Sequence, residues 1–263
     1  MSSRLAAPVT FASASVAFLL ALGCAAPPAT RPAAGADARE RQYVSPGMVG
    51  GNAATDRRRE LYDSLNERII RERIRVGTVV IGGSNIQRWN LAEYFTPSDG
   101  TIENRGIGGE PAWHTARRFD ADVVQLRPRN VIIHTPLNGI SGMLNEGKSK
   151  EEIARTIADA VTSMMKAGRA AGIHVLVLSM LPTSERYRLH GQVVPIQAIV
   201  NEKIRAECAA NGCAYVDVTA ALTDAGGSLR ADLTRDGLHL NAEGYAILAR
   251  AIKDAARARG WSL

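Results

Sequence analysis

The sequence predicts an α/β fold: a three-layer α/β/α sandwich around a parallel sheet of about five strands. Two observations carry this expectation. Short apolar runs at residues 76–81, 131–133, 175–178 and 214–218 have the continuous hydrophobicity of strands buried on both faces. Helical patterns at residues 151–171, 195–210 and 241–259 alternate with them. A short strand near residues 101–104 completes the sheet. Composition agrees: 46% of the 263 residues are apolar and 22% are charged, as in globular chains, while aromatics at 5% leave the core to aliphatic packing.

Along the chain, the first stretch reads as an address. Residues 1–23 run from one positive charge at Arg4 through small and apolar residues to Gly23, the pattern of a bacterial export signal. The apolar run falls short of the roughly 20 residues that span a bilayer. Leu20-Ala21-Leu22-Gly23-Cys24 resembles a lipobox, which makes Cys24 the expected lipid-modified residue of a membrane-anchored lipoprotein of the cell envelope. Ala21 stands where lipoboxes usually carry leucine, so plain cleaved secretion or an uncleaved anchor are the alternatives. Residues 24–56, rich in Ala, Pro, Gly and Arg, read as a flexible tether.

The folded domain is expected over residues 57–263, with room for one full core. It opens with a helix over residues 57–73, where Leu61, Leu65, Ile69 and Ile70 recur at helical spacing. Arg57, Arg58 and Arg59 are closely followed by Glu60, Asp63 and Glu67, the pattern of a solvated helix face. The net charge of +6 is nowhere gathered into a basic patch with interleaved aromatics, which argues against nucleic acid as a partner. Cys208 and Cys213 flank a helix end at Asn211-Gly212. In an oxidising compartment they can form a disulfide, or they stay as two buried thiols. Two cysteines without nearby histidines are too few for a zinc site.

In parallel sheets the reactive groups gather at the carboxyl edge of the strands. The first edge, Ile81-Gly82-Gly83-Ser84-Asn85, sets a serine hydroxyl at a helix start beside free backbone N–H groups; a plain helix cap is the competing reading. The Gly-x-Ser-x-Gly elbow of α/β-hydrolases is missing. The second, Asn104-Arg105-Gly106-Ile107-Gly108-Gly109-Glu110, lets backbone N–H groups approach a ligand or simply turns the chain, and its spacing is not the dinucleotide Gly-x-Gly-x-x-Gly. The third puts the Asn138 amide beyond a buried strand, as an oxyanion donor or as a turn before Gly139. The fourth is the most specific. In Asp236-Gly237-Leu238-His239, a carboxylate three residues before a histidine can hold its Nδ1–H and leave Nε2 free as a base, and Asn241 can cap the closing helix. A structural histidine held by a carboxylate is the alternative.

These four blocks, in this order, resemble the SGNH (GDSL-type) hydrolases over roughly residues 74–258. The first two look closest to the branch of the platelet-activating-factor acetylhydrolase catalytic subunits and related bacterial esterases. The resemblance implies a flavodoxin-like fold, Ser84 as nucleophile, and Asp236 with His239 as the rest of a triad. It further implies an oxyanion hole built from the Ser84 N–H, the Gly109 N–H and the Asn138 amide; Gly109 is preferred to Gly106 because it directly precedes the acidic Glu110. Two departures stand out. Gly83 occupies a position where many members carry Asp, and Pro136-Leu137-Asn138-Gly139 replaces Gly-x-Asn-Asp.

The implied activity is that of a serine esterase working through an acyl-enzyme, without metal or organic cofactor. The segments that can wall a pocket, residues 87–100, 141–150 and 182–194, are short, which favours short acyl groups such as acetyl on a carbohydrate or cell-wall polymer, with lysophospholipid next. Arg88 and Trp89 can offer a cation and a stacking face, and His114 and His134 can line the pocket. An acyltransferase using the same acyl-enzyme, or a non-catalytic envelope binding protein on the same fold, are the rival functions.

Overall fold

The computed structural model describes residues 53–263. Helix α1 spans Ala53–Arg71, starting ahead of residue 57 and inside the segment read as tether. Two alanines, strong helix formers, open it, and Asp56 places a carboxylate in the first turn. Its inward stripe also differs from the aliphatic one expected. Leu61 is exposed, and Thr55, Arg59, Tyr62, Asn66 and Ile69 face the protein instead.

Five strands follow: β1 (Val76–Gly82), β2 (Thr101–Gly106), β3 (Asn130–Ile133), β4 (His174–Leu178) and β5 (Ala214–Val216). All pair in parallel, in the order β2-β1-β3-β4-β5. The helices that matter to the site are α2 (Ser84–Gln87), α3 (Ala112–Arg117), α4 (Lys150–Ala170), α5 (His190–Ala210) and α6 (Ala242–Arg257). Strand side chains alternate between two cores. Val79, Ile81, Val131, Ile133, Val175 and Val177 pack with Ile157 and Val161 of α4 and Val200 of α5. Val80, Ile132, Leu176 and Leu178 pack on the other face with Leu248 and Ile252 of α6. The three-layer sandwich expected from the alternation of elements is therefore present.

Local signals explain most helix boundaries. Ser149 and Glu152 form a reciprocal capping box at α4. Asn241 Oδ1 accepts from the Gly244 N–H at the start of α6, as its position before the last amphipathic run suggests. Helix α5 begins a turn before Pro195, its expected start, so the proline lies inside it. Burial of Leu189 and Val193 against the core offsets the hydrogen bond that the proline lacks.

The disulfide that the Cys208 and Cys213 spacing allows is absent. Both are free, buried thiols. The Cys213 N–H closes the helix end onto the Cys208 carbonyl (2.9 Å), while Cys208 Sγ turns toward Met165 Sδ at 3.7 Å. The signal segment, Cys24 and most of the tether lie outside the described residues. Among the described residues, no helix is long and apolar enough to cross a membrane, and no three His, Cys, Asp or Glu side chains gather as a metal site.

Candidate active site

The strand order reverses direction at β1. The chain leaves β1 toward β2 on one side and returns to β3 on the other, which opens a crevice at the carboxyl ends of these strands. Ser84 follows β1 directly and starts the single-turn helix α2; Gly109 lies in the loop after β2, and Asn138 in the loop after β3. Asp236 and His239 come from the loop before α6. All five residues singled out in the sequence converge on this edge.

The Ser84 hydroxyl lies 2.9 Å from His239 Nε2, and His239 Nδ1 lies 2.6 Å from Asp236 Oδ2. With Nδ1–H donating to the carboxylate, Nε2 accepts from the serine hydroxyl. The other Asp236 oxygen accepts the backbone N–H groups of Leu238 (3.0 Å) and His239 (2.8 Å). Burial alone would raise the Asp236 pKa, but hydrogen bonds from the His239 ring and from these two N–H groups outweigh it and hold the carboxyl well below its usual range. Thr234 locks the same loop: its hydroxyl donates to the His239 carbonyl (2.8 Å) and accepts from the Gly237 N–H (3.0 Å).

Asn85, one residue past the serine, fastens the two halves together and was not singled out by any local pattern. Its Oδ1 accepts from the Leu240 N–H (3.0 Å) and its Nδ2 donates to the Leu238 carbonyl (3.3 Å), so one amide grips the chain on both sides of His239. The Tyr245 hydroxyl in turn donates to the Asn85 carbonyl (2.7 Å). Trp89 stacks on Tyr245 with ring centroids 5.3 Å apart and is buried, so it offers no open face to a ligand. It belongs to this brace, with the exposed Arg88 beside it.

On the donor side, Ser84 N–H is an orphan of the first helical turn. Gly109 takes φ +80°, a conformation that favours glycine, and its N–H has no acceptor among the described residues. The Gly106 N–H, by contrast, is committed to Asn104 Oδ1 at 2.9 Å, which favours Gly109 over Gly106 as a free donor. Gln87 Oε1 accepts from the Gly108 N–H (2.6 Å) and holds this loop over Ser84. Asn138 gives one amide hydrogen to the Glu110 carbonyl (3.3 Å), leaving the other free.

Beneath the loop lies a buried ion network. Arg118 contacts Glu110 (2.7 Å) and Asp122 (2.6 Å), and Asp122 also takes Arg59 (2.9 Å). Burial alone would lower the Arg118 pKa, but the Glu110 and Asp122 carboxylates raise it overall. Arg59 is thus buried and ion-paired, not part of a solvated face; in the cluster read that way, Arg57, Glu60 and Glu67 are exposed and Arg58 and Asp63 are partly buried.

The two departures from the usual motifs meet in space. A Cβ on Gly83 would sit 3.0 Å from Pro136 Cβ and 3.1 Å from Asn138 Nδ2. Pro136 therefore uses room that a side chain at position 83 would need. Gly83→Asp is expected to push the Asn138 amide away and lower kcat on an activated ester by about 100-fold, the loss of one aligned donor. A second substitution, Pro136→Gly, is expected to recover part of it; equal rates for wild type and Gly83→Asp would show that the positions do not compete.

His134, directly after β3, is buried and lines a small cavity beside Ser84. His114 does not line it. Burial lowers the His134 pKa to about 4. The unfolded chain, with an ordinary histidine pKa of about 6.5, binds this proton first as pH falls. The stability that comes from neutral His134 is complete above about pH 6.5 and drains away toward pH 4, amounting to roughly 3 kcal/mol. Urea unfolding at pH 7.5 and 4.5 measures it, and His134→Phe is expected to flatten the profile.

No curated protein matches the chain. Among solved structures, a GDSL-like lipase from Bacteroides thetaiotaomicron superimposes with a TM-score of 0.63 at 24% identity, over 76% of this chain and 97% of that one. A protein of Bacteroides fragilis assigned as an acylhydrolase gives 0.64 at 22%, over 80% and 99%. An acetyl-xylooligosaccharide esterase variant from Geobacillus gives 0.53 at 16%, over 69% and 96%. At these identities the likeness is one of fold. The sequence profile of the GDSL-like lipase/acylhydrolase family matches residues 81–247, more than half of the chain, from the end of β1 into α6. The chain belongs to the GDSL-like lipase/acylhydrolase family, and it is a carboxylic ester hydrolase.

Proposed function

We propose that the protein is an exported serine esterase that removes short acyl groups, with Ser84 as nucleophile, His239 as general base and Asp236 as the group that orients it. The observation that carries this reading is the unbroken hydrogen-bonded chain from Ser84 Oγ through His239 to Asp236. In the first half-reaction Ser84 Oγ bonds to the ester carbonyl carbon while its proton passes to His239 Nε2. The Ser84 and Gly109 N–H groups and the Asn138 amide face the charge that develops on the carbonyl oxygen. The bond to the alcohol oxygen then breaks, and His239 returns the proton to it. Water attacks the acyl-serine by the same route, releasing the acid and restoring Ser84.

The small cavity beside Ser84, walled by Pro136, Leu137, Met180, Leu181 and Leu238, supports a short acyl group. The acetyl-sugar esterase among the structural neighbours agrees with acetyl on carbohydrate or cell-wall polymer as the first substrate to try. The lipobox-like segment ending at Cys24 supports a location in the cell envelope, held at the membrane by lipid. Loss of membrane partitioning in Cys24→Ala is the expected result there.

The deciding experiment is labelling by a fluorophosphonate probe, with Ser84→Ala and His239→Ala beside wild type. Label that depends on both residues is expected; label that survives Ser84→Ala sinks the assignment, and no label at all favours a non-catalytic binding role. Asn138→Ala is expected to lower kcat by about 100- to 1000-fold with little change in KM, as read from steady-state kinetics on an activated acetate ester.

A further inference from the structure

Five of the ten residues lining the cavity beside Ser84 are polar, and nearly all of these are engaged. Asn85 spends its amide on Leu238 and Leu240, the Thr135 hydroxyl donates to the Leu178 carbonyl (3.2 Å), and Ser84 is bonded to His239. Asn138 divides its amide between the Glu110 carbonyl and the oxyanion position. His134 is the exception. It is 4% exposed, and its Nδ1 side packs on the backbone before the nucleophile, where a Cβ on Gly82 would lie 2.9 Å from Nδ1. The Gly83 N–H donates to that Nδ1 at 3.5 Å. Nδ1 is therefore the unprotonated nitrogen of the neutral ring, and Nε2 carries the hydrogen. Nε2 makes no hydrogen bond to another described residue and is not sealed from solvent, and the residue lines the cavity.

Resting on the esterase reading above, we propose that His134 is a specificity-determining residue whose Nε2–H selects short acyl groups bearing an oxygen on the carbon next to the carbonyl, such as hydroxyacetyl esters. Water can answer this donor in the free protein, but an acyl group that displaces the water without accepting leaves it unpaired, and a pocket built around a hydrogen bond discriminates against analogues that lack the acceptor. An acetyl group placed beside Ser84 leaves Nε2–H unanswered. A hydroxyl on the adjacent carbon supplies the acceptor within a group still short enough for the space. Because Nδ1 is turned to the Gly83 N–H, the ring offers a ligand only its Nε2–H donor, so the partner must accept; an ammonium-bearing acyl group is excluded by the same geometry. Burial keeps the imidazole neutral at physiological pH, so the selection does not depend on attracting an anion.

The test uses two aryl esters of nearly equal shape, hydroxyacetyl and propionyl, which differ by a hydroxyl in place of a methyl group. The readout is the ratio of their kcat/KM values in wild type and in His134→Phe, which keeps a ring and removes the donor. A ratio within one preparation is insensitive to the folded fraction, so a destabilised variant still reports. Dividing by the ratio in His134→Phe also cancels the greater intrinsic reactivity of the hydroxyacetyl ester. Wild type is expected to favour hydroxyacetyl at least about ten-fold more strongly than His134→Phe, the size of one added hydrogen bond. Equal ratios in the two proteins overturn the proposal while leaving the esterase reading intact. Turnover of neither ester in a Ser84-dependent manner removes the esterase reading, and the inference with it.

Discussion

Replacing His239 with alanine is expected to lower kcat on an activated acetate ester by between about ten-thousand-fold and a million-fold, with KM nearly unchanged. Without the imidazole, the Ser84 hydroxyl has no base within reach: its only side-chain partner among the described residues is Nε2, at 2.9 Å. Asp236→Asn is expected to cost about ten-thousand-fold, because an amide can donate to Nδ1 and favour the tautomer that leaves Nε2 protonated. The double variant His239→Ala with Asp236→Asn is expected to be no worse than His239→Ala alone, since the carboxylate acts through the ring it orients. Stopped-flow acylation with a chromogenic ester gives the rate directly. A His239→Ala protein that acylates within ten-fold of wild type would show that another group takes the proton.

The second large effect is on stability. Arg118→Met is expected to destabilise the fold by about 3–5 kcal/mol, because it strips the cation from carboxylates that have no access to water. Arg118, Glu110 and Asp122 side chains are all 0% exposed. Asp122 would still have Arg59, whereas among the described residues the Glu110 carboxylate would keep only the Thr115 hydroxyl at 2.8 Å. Against a typical total of about 5–15 kcal/mol this is a large fraction. Adding Glu110→Gln to Arg118→Met is expected to cost less than the sum of the two single changes, since the amide removes the stranded charge. Urea denaturation of the four proteins measures the coupling. The effect should reach catalysis as well: Glu110 follows Gly109 directly, its carbonyl holds the Asn138 amide, and Arg118 also touches the Gly82 carbonyl at 3.4 Å. The ion network underlies the loop that carries Gly109, so loosening it is expected to shift Gly109 and the Asn138 amide together.

Much of this was legible in the residue order. The strands are recognisable because each is a short apolar run, and β1, β3 and β4 match their expected cores within a residue. Ser84 after two glycines, the glycine-rich turn after β2, Asn138, and Asp236 three residues before His239 were all found by looking where parallel strands end. Those are properties of near neighbours in the chain, where hydrophobic period and turn chemistry act over a few residues.

Beyond the Ser84–His239 pairing, which the family resemblance implied, what escaped the sequence was the set of features made by residues far apart in it. Asn85 reaches Leu240 across 155 positions, and Arg59 reaches Asp122 across 63. A run of arginines followed by acids reads as a wet helix face until the sheet order brings Asp122 beneath it. Leu61 looked like core by spacing alone, yet the inward stripe of α1 carries Arg59 and Asn66 because buried partners satisfy them. Gly83 and Pro136 looked like two separate departures and proved to share one space. The sequence by itself determined the elements, their parallel arrangement and the chemistry set at each strand end. Only the tertiary structure decided which of those ends meet, which charges are buried and which donor is left facing the cavity, because such contacts depend on the order in which the strands lie side by side, and no local pattern encodes that order.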